Sequence, residues 1–208
     1  MKSILFVLVF LFSSLVLMSQ GEVPCYPDCP TYIWQPVYPA PPWFCDVILP
    51  NCPNDVIRVY YRHRTACAQQ YNDIYIEKIE FIGDPDNDLN YLECVNAYGG
   101  LAGYIAAATA AMFTAPPGSY CNFILRPTGI GECQTNWRVM KGACWKLDIS
   151  KRMIEPCENS NIICCLEAWM VCMKPDGTLS AGQFGLLVEG VCAEYSVCTP
   201  VCGSVYSR

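Results

Sequence analysis

No Cys-x-x-Cys pair occurs in this chain, and only one histidine, His63, stands among its 208 residues. The missing spacing excludes a thioredoxin-like redox motif and the cysteine knuckles from which structural zinc sites are built. A lone histidine confines any histidine-dependent catalysis to His63. It sits between Arg62 and Arg64, where the sequence offers no neighbouring carboxylate to orient the ring as a triad requires. The chain also lacks a Gly-x-Ser-x-Gly nucleophile elbow and any Asn-x-Ser/Thr glycosylation acceptor. Charge is scarce: 15% of residues, with 13 Lys and Arg against 19 Asp and Glu, for a formal net charge of −6. That balance argues against nucleic acid as a partner, because the phosphate backbone demands a basic footprint. Anionic membrane surfaces are disfavoured for the same reason. Disorder is excluded too, since 53% of the residues are hydrophobic and can bury a sizeable core.

What the chain has in abundance is cysteine. All 16 lie beyond residue 21: Cys25, Cys29, Cys45, Cys52, Cys67, Cys94, Cys121, Cys133, Cys144, Cys157, Cys164, Cys165, Cys172, Cys192, Cys198 and Cys202. Residues 1–21 have the layout of a secretory signal. Lys2 precedes an apolar run from Ile4 to Met18, broken only by Ser13 and Ser14, and Ser19 and Gly21 place small residues before a cut at Glu22. The run is too short for a stable membrane span. The expected product is secreted (extracellular, periplasmic or at the cell surface) and keeps no membrane span after cleavage. An even cysteine count in an oxidising compartment predicts eight disulfides, of connectivity that spacing alone does not determine. The neighbours Cys164 and Cys165 would point to opposite faces of a strand, so they should bond different partners.

Three segments follow: a leader over 1–21, a proline-rich arm over 22–54 and a disulfide-rich domain over 55–208. Nine of the 16 prolines fall in the arm, interleaved with Tyr26, Tyr32, Trp34, Tyr38, Trp43 and Phe44. Proline fixes φ and withholds a donor, which predicts extended chain without regular pairing. The arm should lay its aromatics on the domain and be stapled there by its cysteines. The domain reads as α+β, mainly antiparallel strands with one helix. Residues 56–64 alternate, with Ile57, Val59 and Tyr61 on one face and Arg58, Tyr60, Arg62 and Arg64 on the other. Residues 73–82 form a second strand whose Ile74 and Ile76 share a face with Ile79 and Phe81 only if a bulge falls near Glu77 and Lys78. Pairing the two sets the arginines opposite Asp73, Glu77 and Glu80. Residues 89–113 predict a helix that Gly99 and Gly100 can break in two. Residues 135–149 alternate as one strand, and residues 162–173 read as a central strand or a buried helix. A turn at Pro175, Asp176 and Gly177 leads to a returning strand over 184–195.

The strongest candidate site is Asp84, Asp86, Asp88 and Asn90. Carboxylates at alternate positions suit the hard oxygen ligands of calcium. Leu89 and Val95, however, occupy the places where an EF-hand loop needs glycine and its bidentate glutamate. A turn with a helix N-cap explains the same residues without metal. The strip of Arg58, Arg62, His63 and Arg64 could grip an anionic glycan; a solvated strand face paired with acidic neighbours is the plainer reading. No catalytic residue and no cofactor other than calcium is expected. The parts needed for catalysis are nearly missing, and the cross-links suit a durable scaffold. These features predict a non-catalytic secreted protein that binds an extracellular protein or glycan, or serves as a structural surface component. A secreted carboxylate-dependent hydrolase is the alternative.

Overall fold

A computed structural model describes residues 34–36, 41–83, 89–116, 121, 127–157, 164–192 and 197–203. Within them the chain is a disulfide-rich α+β domain. The strands are β1 (Trp43–Leu49), β2 (Cys52–Ala66), β3 (Tyr71–Phe81), β4 (Cys133–Gly142), β5 (Cys144–Asp148), β6 (Met153–Pro156), β7 (Cys164–Met173), β8 (Leu179–Val188) and β9 (Thr199–Pro200). Helices α1 (Leu89–Ala97) and α2 (Leu101–Thr114) follow β3. The leader lies outside the described residues, as does the arm apart from residues 34–36 and the stretch from residue 41 onward.

All nine strands join one curled sheet that forks at β3. One edge of β3 pairs with β2 along almost its whole length, and β2 pairs in turn with β1. The other edge is shared. Asn72 to Ile76 run parallel to β4, while Ile79 and Glu80 pair antiparallel with β6. Two wings result, β4–β7–β8 and β6–β5–β9. The alternation over 135–149 therefore belongs to two strands and not one. The chain turns at Ala143, where the Trp145 indole donates to the Gly142 carbonyl at 2.7 Å, and β5 departs for the other wing. The parallel pairing of β3 with β4 has no local signature, because it joins segments with both helices between them.

The faces of β2 and β3 are the expected ones. Ile57, Val59 and Tyr61 are buried on one side, and β3 carries an extra residue, Glu77, where the register steps from Tyr60–Lys78 to Tyr61–Ile76. That bulge brings Ile74, Ile76, Ile79 and Phe81 onto the core face together. Residues 43–49 depart from expectation: they pair regularly with β2 and are not unpaired arm. The strand begins directly after Pro42 and ends directly before Pro50, so every residue in it has an amide to donate. Residues 164–173 are strand, apolar on both faces between β4 and β8. β8 starts at Leu179, right after the turn, and not at residue 184.

The helix divides at Gly99 and Gly100, whose φ of 76° and 102° are closed to most other residues. α2 lies across one face of the sheet and touches strands of both wings as well as β1 and β2. Its small residues allow a close approach, and Phe113 wedges between Trp137 and Trp169 at ring separations of 5.2 and 5.7 Å. At Gly103 an added Cβ would lie 1.9 Å from the Tyr98 carbonyl oxygen, so glycine is required where α2 passes the end of α1.

Six disulfides tie this frame: Cys45–Cys121, Cys52–Cys94, Cys133–Cys172, Cys144–Cys192, Cys157–Cys198 and Cys165–Cys202. Each closes a loop of several tens of residues. By the chain-entropy argument a loop of that size contributes at most about 4.5 kcal/mol.

Candidate functional site

The face of the sheet opposite α2 carries charge, and at Arg62, Arg64, Asp73 and Arg138 that charge is buried. In-register neighbours Arg64, Asp73 and Arg138 stand side by side on β2, β3 and β4. The Asp73 carboxylate, fully buried, accepts from Arg64 Nε at 2.8 Å and from Arg138 Nε and Nη2 at 2.7 and 2.8 Å. Trp34 covers the Arg64 guanidinium and Tyr71 that of Arg138, with centroid distances of 4.7 and 4.3 Å. Arg62 pairs with Glu77 and donates to the Pro36 carbonyl. Arg58 grips Asp46 in a two-point bond, which raises its pKa. The expected partnership with acidic neighbours holds, but the strip is not solvated: Arg62 and Arg64 are 2% and 4% exposed. Three well-aligned strands and the cover from Trp34 exclude the water that a lone strand face would have kept. An anionic glycan therefore has no access to Arg62 or Arg64.

Trp34 to Pro36 is the described part of the arm before residue 41, and it docks. Gln35 exchanges backbone hydrogen bonds with His63, and Trp34 packs edge-on to Tyr75. His63 stacks on Trp43 at 5.1 Å, and burial pushes its pKa down. This histidine does not lie at a free sheet edge: its backbone pairs with Ile74 on one side and Gln35 on the other, and its ring sits against an aromatic neighbour.

The core face holds an ion pair of its own. Lys141 Nζ meets Glu167 Oε1 at 2.6 Å with both side chains at or below 2% exposure, and the Trp169 indole donates to Glu167 Oε2 at 3.1 Å. Across the strand from Trp169, Gln183 is buried with no hydrogen-bond partner on either amide atom among the described residues. Sequence reasoning missed Lys141 and Glu167. They lie 26 residues apart and only the pairing of β4 with β7 unites them.

Asp84, Asp86 and Asp88 lie outside the described residues, and Asn90 is the second residue of α1. Among the described residues no cluster of three or more metal-ligating side chains occurs. Asp148 and Asp176 cap turns through Ser150 and Thr178, which holds both carboxyls below the usual range. No free cysteine occurs among the described residues. Cys164 and Cys165 behave as a vicinal strand pair should: Cys165 bonds Cys202 in the core, while Cys164 packs against the cluster of Tyr75, Met140 and Leu166 on the opposite face.

One part of that opposite face is open. A cleft of about 390 Å³ lies along the β7–β8 hairpin, lined by Met170, Cys172, Ser180 and Phe184 among others. β8 pairs with β7 alone and contains no charged residue. Its register slips twice, at Phe184 and at Leu187, and these two extra residues are 54% and 53% exposed. A bulge residue leaves the ladder and is re-aimed, so both large apolar side chains are turned to solvent by the backbone itself. The twist of two bulges also guards an uncharged edge against strand-to-strand pairing. No family model, curated protein or solved structure matches the chain.

Proposed function

We propose that this protein is a non-catalytic extracellular binding protein whose disulfide-tied sheet presents the β7–β8 cleft to an uncharged, apolar segment of a protein partner. The observation that carries this reading is the pair of bulges in β8. They hold Phe184 outward beside Met170 in the cleft and Leu187 outward further along the strand, which has no charge in a chain of net charge −6. Apolar side chains exposed in this way beside a cleft mark interaction surfaces. The abundant disulfides and the leader-like first 21 residues suit an extracellular life. Among the described residues no helix is long and apolar enough to cross a membrane. The hydrolase alternative needs two carboxyl groups facing one open site. Among the described residues the two fully buried carboxylates, Asp73 and Glu167, lie on opposite faces of the sheet, Asp73 held by Arg64 and Arg138 and Glu167 by Lys141.

The test uses the apolar probe 1-anilinonaphthalene-8-sulfonate. The folded protein should bind it, and Phe184→Ala with Met170→Ala should weaken binding at least threefold at unchanged melting temperature. Equal probe binding by the variant would remove the cleft as the site.

A further inference from the structure

Cys172 lines the β7–β8 cleft, and its disulfide partner Cys133 is exposed at the first residue of β4. We propose that this bridge is a thiol-exchange site: a thiolate entering through the cleft attacks Cys172 Sγ, joins it in a mixed disulfide and expels Cys133 as a thiolate.

Exchange needs one sulfur that the attacking thiolate can reach and a second that can leave as a thiolate. The other five described bridges each have at least one buried end: Cys45 and Cys121, Cys52 and Cys94, Cys144, Cys157, and Cys165. A buried sulfur is shut off as a target, and as a leaving group it would carry its negative charge into an apolar core. Of the six described bridges, only Cys133–Cys172 has neither end buried.

The direction of attack follows from the strands around the bond. Cys133 and Cys172 face each other directly across β4 and β7, with Cα atoms 4.1 Å apart. On the other side of β7, Ser180 is level with Cys172 and Gly182 with Met170. Both are small, and the space beside Cys172 stays open as cleft. β8 has no charged residue, so that wall does not repel an incoming thiolate even in a chain of net charge −6. Cys133 leaves at the exposed end of β4, where water stabilises its charge.

The step balances. One S–S bond breaks as another forms, the incoming thiol gives its proton to water, and Cys133 takes one up on becoming a thiol. A second thiol then displaces Cys172 from the mixed disulfide and completes a two-electron reduction. Without it, Cys133 attacks Cys172 Sγ and restores the bridge. What the exchange loosens is local. A bulge between Gln134 and Trp137 separates the paired residues Cys133 and Gln134 from the rest of β4, which β3 and β7 hold from Trp137 onward. Opening the bridge frees that strand end and leaves the domain folded. The inference uses the cleft as an entrance and does not rest on the partner proposed for it.

The experiment exposes the native protein briefly to 2-mercaptoethanol, a small uncharged thiol, quenches with N-ethylmaleimide and maps the modified peptides by mass spectrometry. The mercaptoethanol adduct should appear on Cys172 and the maleimide on Cys133, roughly tenfold sooner than at any of the other five bridges. Ser180→Phe, which fills the cleft beside Cys172, should slow that exchange roughly threefold and leave the other five unchanged. Earlier opening of any of those five, an adduct on Cys133 with the maleimide on Cys172, or no adduct at all would overturn the proposal. Unchanged exchange in Ser180→Phe would overturn the cleft as the route. The map of the unsubstituted protein decides the site even if the variant does not fold.

Discussion

Asp73 Oδ1 accepts a hydrogen bond from Arg138 Nε at 2.7 Å across 65 residues of sequence, at full burial. The contact joins β3 to β4 at their parallel pairing, and the same carboxylate holds Arg64 on the other side. A charge desolvated this far is tolerated because both oxygens are used.

Removing that carboxylate should be costly. Asp73→Ala leaves two buried guanidinium groups without their shared anion, and the loss of stability should be about 3–5 kcal/mol. Equilibrium unfolding in urea checks it. A loss below about 1 kcal/mol would mean that water reaches the site.

Lys141 and Glu167 should respond differently to single and double replacement. Lys141→Met strands the Glu167 carboxylate in the core and should cost about 3–5 kcal/mol. Lys141→Met with Glu167→Leu should recover most of it, because the desolvation penalty of both ions goes together. A double-mutant cycle on unfolding free energies measures the coupling.

His63 should make stability depend on pH. Its folded pKa lies below the ordinary 6.5 because burial disfavours the charged ring. The unfolded chain therefore binds the proton more readily. The stabilisation is fully present above about pH 6.5 and is lost as pH falls through the lower, folded value. Melting temperatures between pH 7.5 and 5 should fall on acidification, and His63→Gln should flatten that slope.

Two backbone positions should shift stability in opposite directions. Gly103→Ala drives a Cβ against the Tyr98 carbonyl and should destabilise by about 1–3 kcal/mol. Ala68→Gly relieves one left-handed residue and should stabilise by about 1 kcal/mol. Thermal unfolding of the two variants against the parent decides both.

What was legible in the sequence was local. Alternation of Ile57, Val59 and Tyr61 with the arginines marked β2 and its faces. The misphased isoleucines of β3 disclosed the bulge at Glu77, and two glycines marked the helix break. What escaped depended on distant partners. Nothing near Lys141 announces Glu167, and nothing near Asn72 announces β4, because pairing across the helices leaves no periodic trace. Burial of the arginine strip escaped for a related reason. Alternation shows that Arg62 and Arg64 share a face, but only Trp34 and the flanking strands decide whether water reaches it. The exposure of Phe184 and Leu187 arises from two slips in register, which depend on β7 as much as on β8.

The fork at β3 also sets an order of opening. β3 is paired on both edges along most of its length, while each wing hangs from only part of one edge. Hydrogen exchange of native backbone amides should therefore be slowest in β3. The β6–β5–β9 wing, joined to β3 through only two paired residues, should exchange sooner and as its own unit.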